Sequence, residues 1–247
     1  MFDMGGTLET LYHGERTYQK TAKALHALLA ENGIDPRMTP DELWAAVYPN
    51  FLAYRKWGEE HSFELKPERI WCDFCFKGLD VDPLKIAAIA EKIAHMWELT
   101  YFERGMREHV PEMLEGLKSL GLRLSVISNT ACEFQVFDTL EGYGIRQYFE
   151  DVTLSAVVGY RKPDPRIFEI ACRQMRVLPE NCVYVGDTLS RDVVGPQNAG
   201  YAKTIQIHSF LTQSRDTDCV GKVQPDHLIT DISEVYPIMK SYLTSGN

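Results

Sequence analysis

The sequence predicts an α/β protein, with strands and helices alternating into a doubly wound parallel sheet and an all-helical segment inserted near the start. Three observations carry this. Short β-branched runs recur through the second half of the chain, each separated from the next by a helical period. Residues 13–104 hold several helical patterns and no convincing strand. The polar residues Asp3, Ser128 and Asp187 stand at the carboxyl ends of predicted strands, where open α/β sheets bind their ligands. The expected layout is a Rossmann-like core of residues 1–12 and 105–247 carrying a helical cap of residues 13–104.

The first 12 residues read as a stub of strand and a Gly-rich turn. Only Met1 and Phe2 precede Asp3, whereas a typical strand has about five to six residues and the first strand of such a sheet is central and buried. Each large apolar side chain missing there forgoes about 1.5–3 kcal/mol of burial, so further residues are expected upstream of Met1 in the native product. Over 17–32, Ala24, Leu25, Leu28 and Leu29 share one helical face, closed by Asn32-Gly33. Thr39-Pro40-Asp41-Glu42 is a capping box with proline at the first helical position. Pro49 is expected to end or kink the helix it opens. Further helices are predicted over 67–77 and 83–101.

The pattern then changes. A helix at 111–119 precedes the strand "LRLSVIS" at 122–128, and a helix at 131–141 precedes a short strand near 151–155. A helix at 164–176 leads into "CVYVGD" at 182–187, and a helix at 191–199 into "AKTIQI" at 202–207. A strand near 227–229 and a helix at 232–243 complete the series.

Composition narrows the function. The 247 residues are 45% apolar and 25% charged, the mix of an ordinary globular protein. A net charge of −9 disfavours nucleic acid as the main partner, because phosphate backbones need clustered Lys and Arg. No apolar run approaches the roughly 20 residues of a membrane span, and Asp3 interrupts any signal-like stretch. Six scattered cysteines in a chain this long read as reduced thiols, which points to the cytoplasm. The lone pair Cys72 and Cys75 lies in an apolar stretch and lacks the second pair of a zinc site.

Four motifs remain. They are "DMGGT" at 3–7 after the stub of strand, Ser128 in "VISNT", Lys162 in "GYRKPDP", and Asp187 with Asp192 in "VGDTLSRD". In this order and spacing they resemble the haloacid dehalogenase-like hydrolases, most of which are phosphatases, and residues 13–104 sit where that family inserts a helical cap. The resemblance implies that Asp3 is the nucleophile of an aspartyl-phosphate mechanism, since a carboxylate that attacks phosphorus splits one hard step into two. It implies Mg²⁺ at Asp3, Asp187, Asp192 and the Gly5 carbonyl, a hard-cation site of oxygen ligands. Phosphate oxygens would meet the Ser128 hydroxyl, the amides of Asn129 and Thr130 entering a helix, and the point charge of Lys162.

Gly5 departs from the family pattern. Phosphatases of the family place a second Asp there, whose side chain protonates the leaving oxygen and later activates water, a contribution of roughly 10²–10⁴-fold. Three outcomes are compatible. Another group supplies the proton, with His13 the leading candidate ahead of Glu9 and Glu15. Or the chain is a phosphonate hydrolase, with Lys20 or Lys23 as a Schiff-base lysine, or a dehalogenase, which the acidic pair disfavours. Or it is a catalytically weak ligand-binding protein. Tyr12, Tyr18, Tyr54 and Trp57 are candidates to line the pocket that the cap shapes, and Arg16 or Arg55 to bind a substrate anion. The expected partner is a small phosphorylated metabolite, because a cap restricts access; the expected assembly is a monomer or homodimer.

Overall fold

A computed structural model describes residues 1–210, 212, 216, 219 and 221–245. Seven strands are present among them: β1 (Glu9–Tyr12), β2 (Glu103–Met106), β3 (Leu124–Ser128), β4 (Phe149–Leu154), β5 (Val183–Gly186), β6 (Lys203–Ile207) and β7 (His227–Ile229). β3 pairs with β4, and β5 with β6 and β7, all in parallel. Phe2 joins the two halves, bridging in parallel to Val126 on one side and Val185 on the other. Its N–H donates to the Ser125 carbonyl, and the Asp3 N–H to the Val185 carbonyl, both at 2.9 Å. The order across the sheet is thus β4, β3, residues 1–3, β5, β6, β7, which puts Asp3 at the centre of its carboxyl edge.

The helices are α1 (Glu15–Glu31), α2 (Pro40–His61), α3 (Pro67–Arg69), α4 (Pro83–Ala88), α5 (Ala90–Tyr101), α6 (Val110–Ser119), α7 (Gln135–Gly142), α8 (Ser155–Val158), α9 (Pro165–Met175), α10 (Val194–Asn198) and α11 (Val235–Ser245). The buried faces of α6, α7 and β3 to β7 pack around Phe2 and Met4 as one apolar core. The α9 face, with Ile167, Phe168 and Ala171, packs with Ile127, Tyr184 and Tyr201 as a second. α1 to α5 enclose a third core, where Trp97 stacks on Trp44 at 5.3 Å and on Tyr101 at 5.7 Å. No helix among the described residues is long and apolar enough to cross a membrane.

Several expectations change. β1 and β2 form an antiparallel ribbon, pairing Glu9 with Met106 and Tyr12 with Glu103, which brackets the helical segment. Four-residue strands whose partners lie more than ninety residues away leave little local signal. Pro49 does not end its helix, because α2 continues to His61. The face formed by Leu43, Val47, Phe51, Tyr54 and Gly58 is buried throughout, and that packing outweighs the roughly 3 kcal/mol an internal proline costs. The predicted helix over 83–101 breaks at Ile89 (φ −120°, ψ 11°), leaving Ile86, Ile89 and Ile93 all buried. The helix predicted from 131 starts only at Gln135. Ile70–Cys75 and Leu189–Val193 are π-helical turns, a rare form that is frequent at functional sites.

The capping box of α2 is present, with the Thr39 side chain accepting the Glu42 N–H and Glu42 reaching back to the Thr39 N–H. Thr39→Ala is expected to cost about 1 kcal/mol and to lower Tm by about 2–4 °C in a thermal melt.

Candidate active site

Each site residue is placed by a local device. Asp3 follows the bridging Phe2 and is buried, with the Thr7 hydroxyl donating to its Oδ2 at 3.3 Å. Gly6 has φ +94°, and a Cβ there would sit 2.2 Å from Asp187 Oδ2, so only glycine lets the loop pass this close. Lys162 is positioned through its backbone. The Asn129 side chain accepts the Lys162 N–H at 2.8 Å and donates to its carbonyl at 3.0 Å. Lys162 Nζ then lies 2.6 Å from both Asp3 Oδ1 and Asp192 Oδ1, and donates to Tyr184 OH at 3.0 Å. Asp192 is held by Thr188, whose N–H and hydroxyl donate to Oδ2 at 3.0 and 2.7 Å. Gly186 permits this turn, since a Cβ would come 2.2 Å from that of Asp192. Asp216 accepts the N–H groups of Leu189 and Ser190 at 2.8 and 3.1 Å, fixing the start of the turn. Asp187 takes a hydrogen bond from the Ser209 hydroxyl, and Thr212 donates to its carbonyl at 2.9 Å.

Asp3, Asp187 and Asp192 bring carboxylate oxygens within 4.8 Å of one another, all buried. Burial pushes the Asp3 carboxyl up to about 6, with Lys162 opposing and Asp192 adding to the rise. Burial and then the charges of Asp192 and Asp3 hold Asp187 well above the usual carboxylate range. Burial alone would lower Lys162, but Asp192 and Asp3 hold it above an ordinary lysine. Asp192 is held low, because Lys162 and Thr188 together outweigh the burial that opposes them. Three carboxylates against one ammonium leave excess negative charge that a cation would relieve.

Gly5, Ser128, Asn129, Thr130 and Lys162 line a cavity with Asp3, Asp187 and Asp192. Thr130 corrects one expectation. Its N–H donates to Ser155 Oγ at 2.9 Å and its hydroxyl accepts the Cys132 N–H, so that amide is engaged within a loop and does not open a helix. His13 lies outside the lining, bonded to Tyr18 OH at 2.7 Å and stacked on Tyr101. Glu15, Lys20 and Lys23 are exposed on α1. Glu9, by contrast, does line the cavity, with its carboxylate ion-paired to Arg104 and accepting Tyr143 OH at 3.0 Å. Of the aromatic and arginine candidates, Tyr54 and Arg55 line it, whereas Tyr12, Tyr18, Trp57 and Arg16 do not. Sequence reasoning missed Glu98, Arg104, Arg161, Arg191 and Tyr184. Arg161 and Arg191 stand beside the motif residues Lys162 and Asp192, the one local signal for them.

Residues 1–200 match the model of the haloacid dehalogenase-like hydrolases. The chain belongs to that family. It is 27% identical over 194 residues to the glyceraldehyde 3-phosphate phosphatase of Methanopyrus kandleri, covering 78% of this chain and 77% of that one. It is 33% identical to human haloacid dehalogenase-like hydrolase domain-containing protein 3, over 96% of this chain and 92% of the relative. The 2-haloacid dehalogenase of Pseudomonas syringae pv. Tomato DC3000 shares the fold at a TM-score of 0.65, with 22% identity and 98% and 97% of the two chains covered. The protein is thus a hydrolase on an α/β core of this family.

The crowding at Asp187 gives a stability prediction. Its folded carboxyl is held well above 3.8, so its favourable share of stability exists at low pH and is lost as pH rises. In chelator, Asp187→Asn should melt a few degrees above the native chain, with a wider gap at about pH 8 than at about pH 5. Calorimetry showing a lower Tm for the variant at both pH values would contradict this.

Proposed function

We propose that the protein is a capped, Mg²⁺-dependent phosphomonoester hydrolase acting through an aspartyl phosphate on Asp3. The observation that carries the reading is Lys162 Nζ 2.6 Å from Asp3 Oδ1, buried beside Asp187, Asp192 and Ser128 in one cavity. Residues 1–12 and 105–247 make the core in this reading, and 13–104 the cap. The name of the Methanopyrus kandleri relative supports a small phosphorylated substrate such as glyceraldehyde 3-phosphate. Free thiols at Cys72, Cys75, Cys132, Cys172 and Cys182 support a cytoplasmic enzyme. A phosphonate-hydrolase reading would need a cap lysine at the cavity, and Lys20 and Lys23 are outside its lining.

The oxygen-only donor set fits a hard divalent ion. Asp3, Asp187 and the Gly5 carbonyl would hold Mg²⁺, with Asp192 bound directly or through water; when bound, it supplies positive charge against the phosphate and its nucleophile. The chain's own groups do the rest. An Asp3 oxygen forms a bond to phosphorus as the ester oxygen leaves, and water then displaces Asp3 to give inorganic phosphate. Lys162 keeps Asp3 ionised despite burial and faces the incoming phosphate with a fixed charge. The Ser128 hydroxyl orients a phosphate oxygen. Positioning and charge neutralisation carry most of such a transfer.

Gly5 is more than a deleted carboxylate. A Cβ at position 5 would meet Leu11 Cδ1 at 2.8 Å, so a leucine methyl occupies the room a side chain would take.

Phosphate release from sugar, nucleotide and aryl phosphates should require Mg²⁺, and Asp3→Asn should lower it on the order of 10³-fold or more. No release from any ester by folded protein would remove the reading. Mg²⁺ at about a hundredfold over its Kd should raise Tm by roughly 5–10 °C, and Asp187→Asn should abolish that rise. Combining Gly5→Asp with Leu11→Ala, which clears the space, should raise turnover by about 10²-fold if proton transfer limits it. An unchanged rate would place the limit elsewhere.

A further inference from the structure

The cavity holds more cationic groups than one phosphate uses. Beside Lys162, four guanidinium groups line it: Arg55, Arg104, Arg161 and Arg191. Three of them already have carboxylates. Arg104 pairs with Glu9 and Glu98, Arg161 with Glu64, and Arg191 with Glu59 at 2.7 Å. Arg55 is different. It projects from α2, is half-buried, and makes no hydrogen bond or ion pair among the described residues. Arg161 adds a buried Nε with no hydrogen-bond partner. The charges of Arg161 and Arg55 act on Arg191, which burial and their repulsion together push below an ordinary arginine. Arg55 is within electrostatic reach of Glu98 but bonds to no carboxylate among the described residues, so its guanidinium donors are left for an anion that enters the cavity. Lys162 is committed to Asp3 and Asp192 and serves the reacting phosphate.

We propose that Arg55, supported by Arg161 and Arg191, receives a second anionic group of the substrate, so the preferred substrate is a small phosphomonoester with a distal carboxylate or a second phosphate. This rests on the phosphomonoester-hydrolase reading. A guanidinium can grip either anion with two parallel hydrogen bonds, and it does so from a cap helix, so correct substrates would also draw the cap onto the core. Arg55 is here a specificity residue and takes no part in bond making.

The test is a matched panel in Mg²⁺. One pair is 3-phosphoglycerate and glycerol 3-phosphate, which differ by a distal carboxylate. The other is fructose 1,6-bisphosphate and fructose 1-phosphate, which differ by a second phosphate. The native enzyme should prefer the doubly anionic member of at least one pair, chiefly through KM, and the pair that responds tells carboxylate from phosphate. Arg55→Ala should cut that preference by about 10–100-fold, the worth of a charged hydrogen-bonded contact, and Arg55→Lys should retain part of it. Equal kcat/KM within both pairs would overturn the proposal. So would an Arg55→Ala loss of the same size for both members, which would assign Arg55 to the reacting phosphate. If nothing is hydrolysed, the phosphatase reading fails on its own account. Calorimetric binding of the same four compounds then decides: a preference for the doubly anionic member that Arg55→Ala erases upholds the site, and its absence refutes it.

Discussion

The site depends on one buried cation. Lys162 Nζ touches Asp3 and Asp192 at 2.6 Å each, and Tyr184 holds it from a third direction. Without it, two carboxylates with almost no access to water would face each other uncompensated, a situation that costs about 3–5 kcal/mol. The surrounding devices serve this contact. Asn129 fixes the Lys162 backbone, Thr188 fixes Asp192, and Gly186 lets the turn carrying Asp192 lie against the end of β5. The same contact favours the charged form of Asp3 against the burial that raises its carboxyl.

Two polar networks tie the helical segment to the sheet and shape the cavity between them. In one, Glu64 is ion-paired to Arg161 and accepts hydrogen bonds from Tyr54 OH and from Ser155 Oγ at 2.8 Å, and Ser155 Oγ in turn accepts the Thr130 N–H at 2.9 Å. In the other, Arg104 on β2 joins Glu9 on β1 to Glu98 on α5. Both are buried, where unpaired charges are costly, so each is satisfied almost completely. The exception within them is Arg161 Nε, buried without a hydrogen-bond partner, and Arg55 lines the same cavity outside both networks.

Leu11 gives Gly5 a steric logic. β1 leaves the loop that carries Asp3 and folds back so that Leu11 reaches the space beside position 5, while Glu9 keeps its carboxylate 3.8 Å from where a Cβ would be. Loop and ribbon are therefore matched to each other, and position 5 cannot be judged from the motif alone.

The fold class, the order of most core elements and the Asp3, Ser128, Lys162, Asp187 and Asp192 set were legible because each rests on local signals: β-branched runs, a capping box, and short motifs at strand ends. Pro49 shows the limit of such signals, since a local rule there yielded to a continuous buried face. His13 shows another. Its nearness in sequence to Asp3 suggested a catalytic role, yet the chain turns it into an aromatic stack. The β1–β2 ribbon, the engaged Thr130 amide, the Leu11 contact and the guanidinium wall came only from tertiary structure. The sequence by itself determined which polar groups stand at the ends of the core strands, because hydrophobic period and turn chemistry act within a few residues. Only the fold decided which of them meet, which are already paired and which cation is left for a ligand, because those depend on contacts between segments a hundred residues apart.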